Sequence, residues 1–212
     1  IGRRGVVNIE REAKLSGSTH DKAVLLLEGF LRDRFARQRP LSLSASIAFE
    51  QSYGFVEGDS ASLAELLVLL SRIGDFELRQ DLAVTGSLNQ AGEVQAVGGL
   101  SEKIEAFFDI CCRHHLTGDQ GVVIPAANRE NLVLRDDVIE AMEAERFHVV
   151  PVRTVDEALE ALTGYRAGDA FEPETLNHRI DQALDQMAKS LAEAGPASLA
   201  PRGSGGGEAE PR

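Results

Sequence analysis

The chain has 212 residues, 43% of them hydrophobic, enough for one sizeable core. Its 34 acidic residues against 22 basic ones leave a net charge of −12, which lacks the basic footprint of a nucleic-acid binder and the polybasic run that anionic membranes attract. No apolar run approaches the roughly 20 residues of a spanning helix and no signal-peptide pattern opens the chain, so neither a nucleic-acid nor a membrane partner is expected.

The two cysteines, adjacent at Cys111 and Cys112, build no ordinary disulfide framework and read as a reducing, cytoplasmic setting. The first residue is Ile rather than Met, as expected of a piece processed or excised from something longer.

In chain order, GVVNIEREAKLSGS offers a short strand and a polar loop. Helical periodicity runs from Thr19 to about Arg37, with Leu27, Phe30, Leu31 and Phe35 on overlapping turns, until Pro40 stops it. LSLSASIAFEQ then alternates, with Leu41, Leu43, Ala45, Ile47 and Phe49 on one face, as a half-buried strand does. Its edge offers a place for an extended peptide to add as a further strand. VEGDSAS leads into an almost wholly apolar helix over residues 61–73. DLAVTGSLNQAGEVQAVGG reads as a strand, an Asn-Gln-Ala-Gly turn, a second strand and a double-glycine exit. LSEKIEAFFDICCRHH is the next helix, and GVVIPAAN a short buried strand. Residues 135–145 read as a helix and RFHVVPV as a strand. Thr154 with Glu157 boxes the start of a last core helix that Gly164 ends. Strands and helices interleave, so the fold class is α+β. No internal repeat is seen.

Beyond the core, Leu176, Ile180, Leu184, Met187 and Leu191 form one stripe on an amphipathic helix that docks on the core or on a neighbour. The organisation read from this is a core over residues 1–166, a helical extension over 167–195 and a disordered tail over 196–212, where apolar content is too low to fold.

Two placements carry chemistry. In VEGDSAS, Asp59 or Ser60 suits a helix cap, and Ser62 with Glu65 spells a capping box. The same position suits a nucleophile, because free N–H groups and the helix dipole would stabilise an oxyanion beside Ser60. In the helix after the double glycine, a wheel at about 100° per residue puts Leu100, Ile104, Phe107, Phe108 and Cys111 on one face and Glu102, Glu105, Asp109 and Arg113 opposite. Lys103 alone falls at the edge of the apolar stripe. Either its stem lies on the core with the amine in water, or the amine is partly desolvated, which lowers a lysine pKa toward general-base range. Ser60 and Lys103 are therefore candidates for a Ser–Lys dyad.

Cys111, Cys112, His114 and His115 crowd one helix end, but no second cluster completes a metal site, and none is assigned. A Ser–His–Asp site has no Gly-x-Ser-x-Gly elbow, and His20 with Asp21 sits where a helix start uses such residues for capping. Glu57 and Asp59 are either cation ligands or solvated loop acids.

The stretches EGDSAS, DLAVTGSLNQAGEVQAVGGLSEKIEAFF and GDQGVVIPAANRENL resemble the proteolytic domain of the Lon protease family, in its Lon-B-like and ATP-independent Lon-like branches. The resemblance covers roughly residues 5–164. It implies a Lon-type α+β fold with a mixed sheet and flanking helices. It places the nucleophile at Ser60, the base at Lys103, 43 residues on, and a lysine-orienting threonine at Thr85. Backbone N–H groups near Asp59 are the oxyanion donors expected with it, and Glu57 is a supporting residue. It further implies serine endopeptidase activity on unfolded or damaged polypeptides inside a homohexameric ring. Gly58-Asp59-Ser60 stands where many ATP-dependent members have Asp-Gly-Pro-Ser. No Walker-type phosphate loop occurs, so no cofactor is expected in this chain, and any ATP dependence would require an upstream region. The competing reading is a catalytically inactive assembly or binding module. Retention of both Ser60 and Lys103 favours the enzyme.

Overall fold

The computed structural model describes residues 2, 4–37 and 39–194. Strand β1 (Gly5–Asn8) leads through the single turn α1 (Ile9–Glu12) to helix α2 (Ser18–Phe35), and β2 (Ser44–Ile47) returns beside β1 as a parallel pair. Helix α3 (Ser62–Gly74) follows, then β3 (Leu82–Val84), the short antiparallel pair β4 (Ser87–Leu88) and β5 (Val94–Gln95), and helix α4 (Leu100–Arg113). Strand β6 (Gly121–Pro125), a 3₁₀ turn over Ala126–Asn131, α5 (Asp136–Glu143), β7 (His148–Val152), α6 (Val155–Thr163) and α7 (Leu176–Ala194) complete the order. The tail expected over 196–212 lies outside the described residues.

The fold is α+β, with a parallel three-stranded sheet, order β3-β6-β7, at its centre. All five residues of β6 are buried, as a central parallel strand covered on both faces requires. Its side chains alternate between two apolar clusters. Val123 joins the larger one with α2, α3, α6 and α7, whereas Val122 and Ile124 join the other with Leu100, Ile104, Phe108 and Cys111 of α4 and Val138 of α5. The expected mixed sheet is thus resolved into this parallel sheet and two separate pairs.

Most elements lie where periodicity placed them, with three corrections. The alternating run 41–51 forms a strand only over Ser44–Ile47. The run expected as one strand before the Asn89–Gly92 turn is two: β3 pairs with β6, β4 pairs with β5, and the chain breaks at Thr85-Gly86 between them. The box written by Ser62 and Glu65 is not formed. The cap residue of α3 is Ala61 and receives no side-chain bond, because Ser62 donates backward to the Asp59 carbonyl at 2.8 Å and Glu65 is turned inward toward His20. The Thr154 cap of α6 forms as read, its side chain accepting from Glu157 N–H, and Gly164 ends the helix in the left-handed region at φ 72°.

The helix after the core docks on this chain. Leu176, Ile180 and Leu184 enter the larger cluster, and Arg39 on the α2–β2 loop reaches Asp181 at 2.6 Å. Among the described residues no helix is long and apolar enough to cross a membrane.

Candidate active site

Three segments far apart in sequence meet at one point. The first is the loop 57–61 ahead of α3. Gly58 takes φ 89°, a left-handed conformation that favours glycine and turns the chain so that Asp59 and Ser60 lead into the helix. The second is the break between β3 and β4. Gly86 N–H donates to the Ser60 carbonyl at 2.8 Å, and Leu63 N–H donates to the Gly86 carbonyl at 3.1 Å, so the loop is laced to the sheet on both sides of Ser60. The third is the first turn of α4, whose cap Gly99 sits at φ 64°. This double-glycine exit lets the helix start abruptly and places Lys103 in its first turn.

The side chains follow from that scaffold. Lys103 Nζ lies 3.0 Å from Ser60 Oγ and 3.5 Å from Thr85 Oγ1. Buried Thr85 in turn donates to the Ser60 carbonyl at 3.3 Å. The Ser60 hydroxyl caps no helix. An amine and a hydroxyl at this separation can exchange a proton directly. Asp59 Oδ2 accepts from Ser87 Oγ at 2.9 Å. Among the described residues the backbone N–H groups of Asp59 and Ser60 have no acceptor within the chain.

Sequence reasoning missed Ser87. It is buried on a strand, and the signal was a second hydroxyl, two positions after Thr85, in the Thr-Gly-Ser-Leu run. Glu57 is brought to the site's neighbourhood but not to its chemistry. Its carboxylate accepts from Thr19 N–H at the start of α2 at 3.2 Å, and the hydrogen bonds at Thr19 and Gly58 hold it below the usual carboxylate range.

Lys103 departs from one expectation. The residue is exposed rather than tucked against the core, because the stripe edge it shares with Ile110, itself 53% exposed, is not covered by another element. The other candidates go elsewhere. Cys111 is a core residue whose thiol is pushed up by burial, and no group of three or more potential metal ligands occurs among the described residues. His20 is not a helix cap but fully buried in α2, 3.6 Å from Glu65. None of the five histidines is a hydrogen-bond partner of Ser60 among the described residues.

Beside Ser60 runs a groove of about 810 Å3 between β2 and α3. Residues 43–50 form one wall, Ala61, Ala64 and Val68 the other, and Met187 of α7 closes it. Strand β2 pairs only with β1 among the described residues, leaving its second edge without a ladder partner.

Residues 54–164 match the pattern of the Lon protease (S16) C-terminal proteolytic domain. Over 192 residues, 89% of the chain, it is 42% identical to the Putative Lon protease homolog of Escherichia coli (strain K12), covering 33% of that protein. It is 44% identical over 195 residues, 90% of the chain, to the Putative Lon protease homolog of Haemophilus influenzae, covering 32% of it. An Archaeal Lon protease, from Thermococcus kodakarensis, is 37% identical over 144 residues, 68% of the chain and 20% of that protein. The chain therefore spans about a third of the length of the first two relatives.

Proposed function

Because this chain belongs to the Lon protease family, through its C-terminal proteolytic domain, we infer that it is a serine endopeptidase that hydrolyses polypeptides with a Ser60–Lys103 dyad. The observation that carries this reading is the 3.0 Å contact between Lys103 Nζ and Ser60 Oγ.

In this reading a substrate segment lies extended along β2, adding its backbone to the free edge, with the scissile carbonyl carbon at Ser60. The neutral Lys103 amine takes the Ser60 proton as Oγ bonds to that carbon. The carbonyl oxygen becomes the oxyanion, held by the N–H groups of Asp59 and Ser60. When the C–N bond breaks, the Lys103 ammonium returns its proton to the leaving amine, and Ser60 is left as an ester. A water molecule then attacks the ester while Lys103 takes its proton, and the collapse of that second intermediate restores the Ser60 hydroxyl. Thr85 fixes the direction of the amine by accepting one of its hydrogens. Since the isolated chain leaves Lys103 exposed, the water exclusion that favours a neutral amine comes from bound substrate or from a neighbouring subunit. A homohexameric ring in the cytoplasm is the assembly this reading adopts, and light scattering tests it.

The deciding experiment treats the assembled protein with a peptide boronate and, beside it, a covalent lactone, then reads intact mass and peptide cleavage. The expected outcome is cleavage blocked by both reagents, with the lactone adduct on Ser60 and both effects absent in Ser60→Ala. Cleavage retained in Ser60→Ala would return the serine to a structural role and leave the binding-module reading in front.

A further inference from the structure

The two glycines ahead of α4 do little to fix where that helix begins. Gly98 and Gly99 are both exposed, and a side chain at Gly98 would meet nothing within 4 Å. The glycine backbone is the most permissive of all, and α4 has no side-chain cap. The exit therefore leaves the helix start free to shift unless something else holds it.

The hold lies one residue earlier. Val97 N–H donates to Asn128 Oδ1 at 3.0 Å, and Asn128 Nδ2 donates to the Val97 carbonyl at 2.9 Å. A primary amide carries a donor and an acceptor side by side, so Asn128 engages Val97 much as a neighbouring strand would. Asn128 stands on the 3₁₀ turn directly after β6, the middle strand of the central sheet. The same strand holds Thr85, whose N–H donates to the Val123 carbonyl at 3.1 Å. Two of the three segments that meet at the site thus take their position from β6, one through Val123 and the other through Asn128.

Packing supplies a different constraint. Leu100, Ile104 and Phe108 seat α4 in the smaller apolar cluster, but apolar contact is non-directional. It sets the distance of the helix from the sheet more firmly than its register along its own axis. Arg135 binds Asp109 at 2.6 Å, and its N–H donates to Glu105 at 2.9 Å. Both contacts lie beyond Lys103, toward the far end of the helix. The Asn128–Val97 pair supplies direction at the near end.

We propose that Asn128 is a positioning residue for Lys103, clamping Val97 so that the first turn of α4 aims the amine at Ser60. The inference rests on the Ser60–Lys103 dyad. Lys103 Nζ is 3.0 Å from Ser60 Oγ, and a shift of about 1 Å at the helix start carries it out of hydrogen-bond range. The groove still takes substrate, so the loss falls on the chemical step.

The test uses the assembled protein. Asn128→Ala removes both hydrogen bonds. Asn128→Asp keeps the shape and the acceptor but sets a carboxylate oxygen against the Val97 carbonyl, and it serves where the alanine variant fails to fold. Per site titrated by the lactone, each is expected to lower kcat on a peptide by about ten- to hundredfold, with KM changed by less than about twofold. A parental kcat per titrated site, or a change confined to KM, overturns the proposal.

A second readout needs no turnover. Lys103 is one of four lysines in the chain, and competitive acetylation read by mass spectrometry gives its reactivity against Lys14, Lys22 and Lys189. In the parental protein, Ser60→Ala is expected to change that relative reactivity about fivefold, the scale of one hydrogen bond. In the Asn128→Asp background the same substitution leaves it nearly unchanged, because the two side chains no longer meet. An undiminished response there overturns the proposal and leaves the dyad standing. No response in the parental protein overturns the dyad, and the proposal with it.

Discussion

Ser87 holds Asp59: its hydroxyl donates to Asp59 Oδ2 at 2.9 Å, tying the residue before Ser60 to the strand that follows Thr85. The oxyanion donors of the proposed mechanism are the N–H groups of this tethered loop, so its position sets their aim. Ser87→Ala is expected to lower kcat about tenfold, the scale of a misaimed donor, while costing only about 1 kcal/mol of stability. Ser87→Thr restores most of the rate. Peptide turnover and chemical denaturation, run on the same samples, check both halves.

Lys103 is asked to be neutral and then to carry a proton. An arginine there keeps the charge and the reach toward Ser60 but cannot lose its proton in a protein. Lys103→Arg is therefore expected to be as inactive as Lys103→Ala, with the fold unchanged by circular dichroism. Turnover in the arginine variant near the parental rate rules out a base at this position.

Glu65 links stability to pH with a definite sign. Its folded pKa of about 7 lies above the ordinary 4.5, chiefly because burial disfavours the charge, so the folded state holds the proton more tightly than the unfolded chain. The associated stability is complete below the unfolded value and is lost as pH rises through the folded one. The loss amounts to about 3 kcal/mol at most. Glu65→Gln has no proton to release, so it matches the parent near pH 4 and gains on it by that order at pH 8. Denaturant midpoints at the two pH values measure the gap, and a gap independent of pH refutes the linkage.

Ile180 is fully buried in the cluster that α7 shares with α2, α3 and α6. Ile180→Ala leaves a cavity there and is expected to cost about 3 kcal/mol. A helix that only joined subunits together would instead change the assembled mass and spare the stability of the subunit, which thermal unfolding and light scattering distinguish.

The sequence by itself determined which residue types stood where chemistry needs them, and most of the local structure. Ser60 precedes an apolar helix, Lys103 follows a double glycine, and the Thr154 and Gly164 caps lie where they were read, since periodicity and capping are local properties of backbone and side chain. Only the tertiary structure decided what meets what. Ser60, Thr85 and Lys103 converge because Gly86 laces the nucleophile loop to the sheet and α4 packs beneath β6, and no helical wheel encodes the distance between two elements. The wheel also put Lys103 at the edge of the apolar stripe, yet the residue is exposed, because burial depends on whether another element covers that edge. Glu65 shows the same limit from the other side. Its spacing from Ser62 spelled a cap, but packing turned it inward to His20 and Glu10, three acidic and basic groups from three helices that only the folded core brings together.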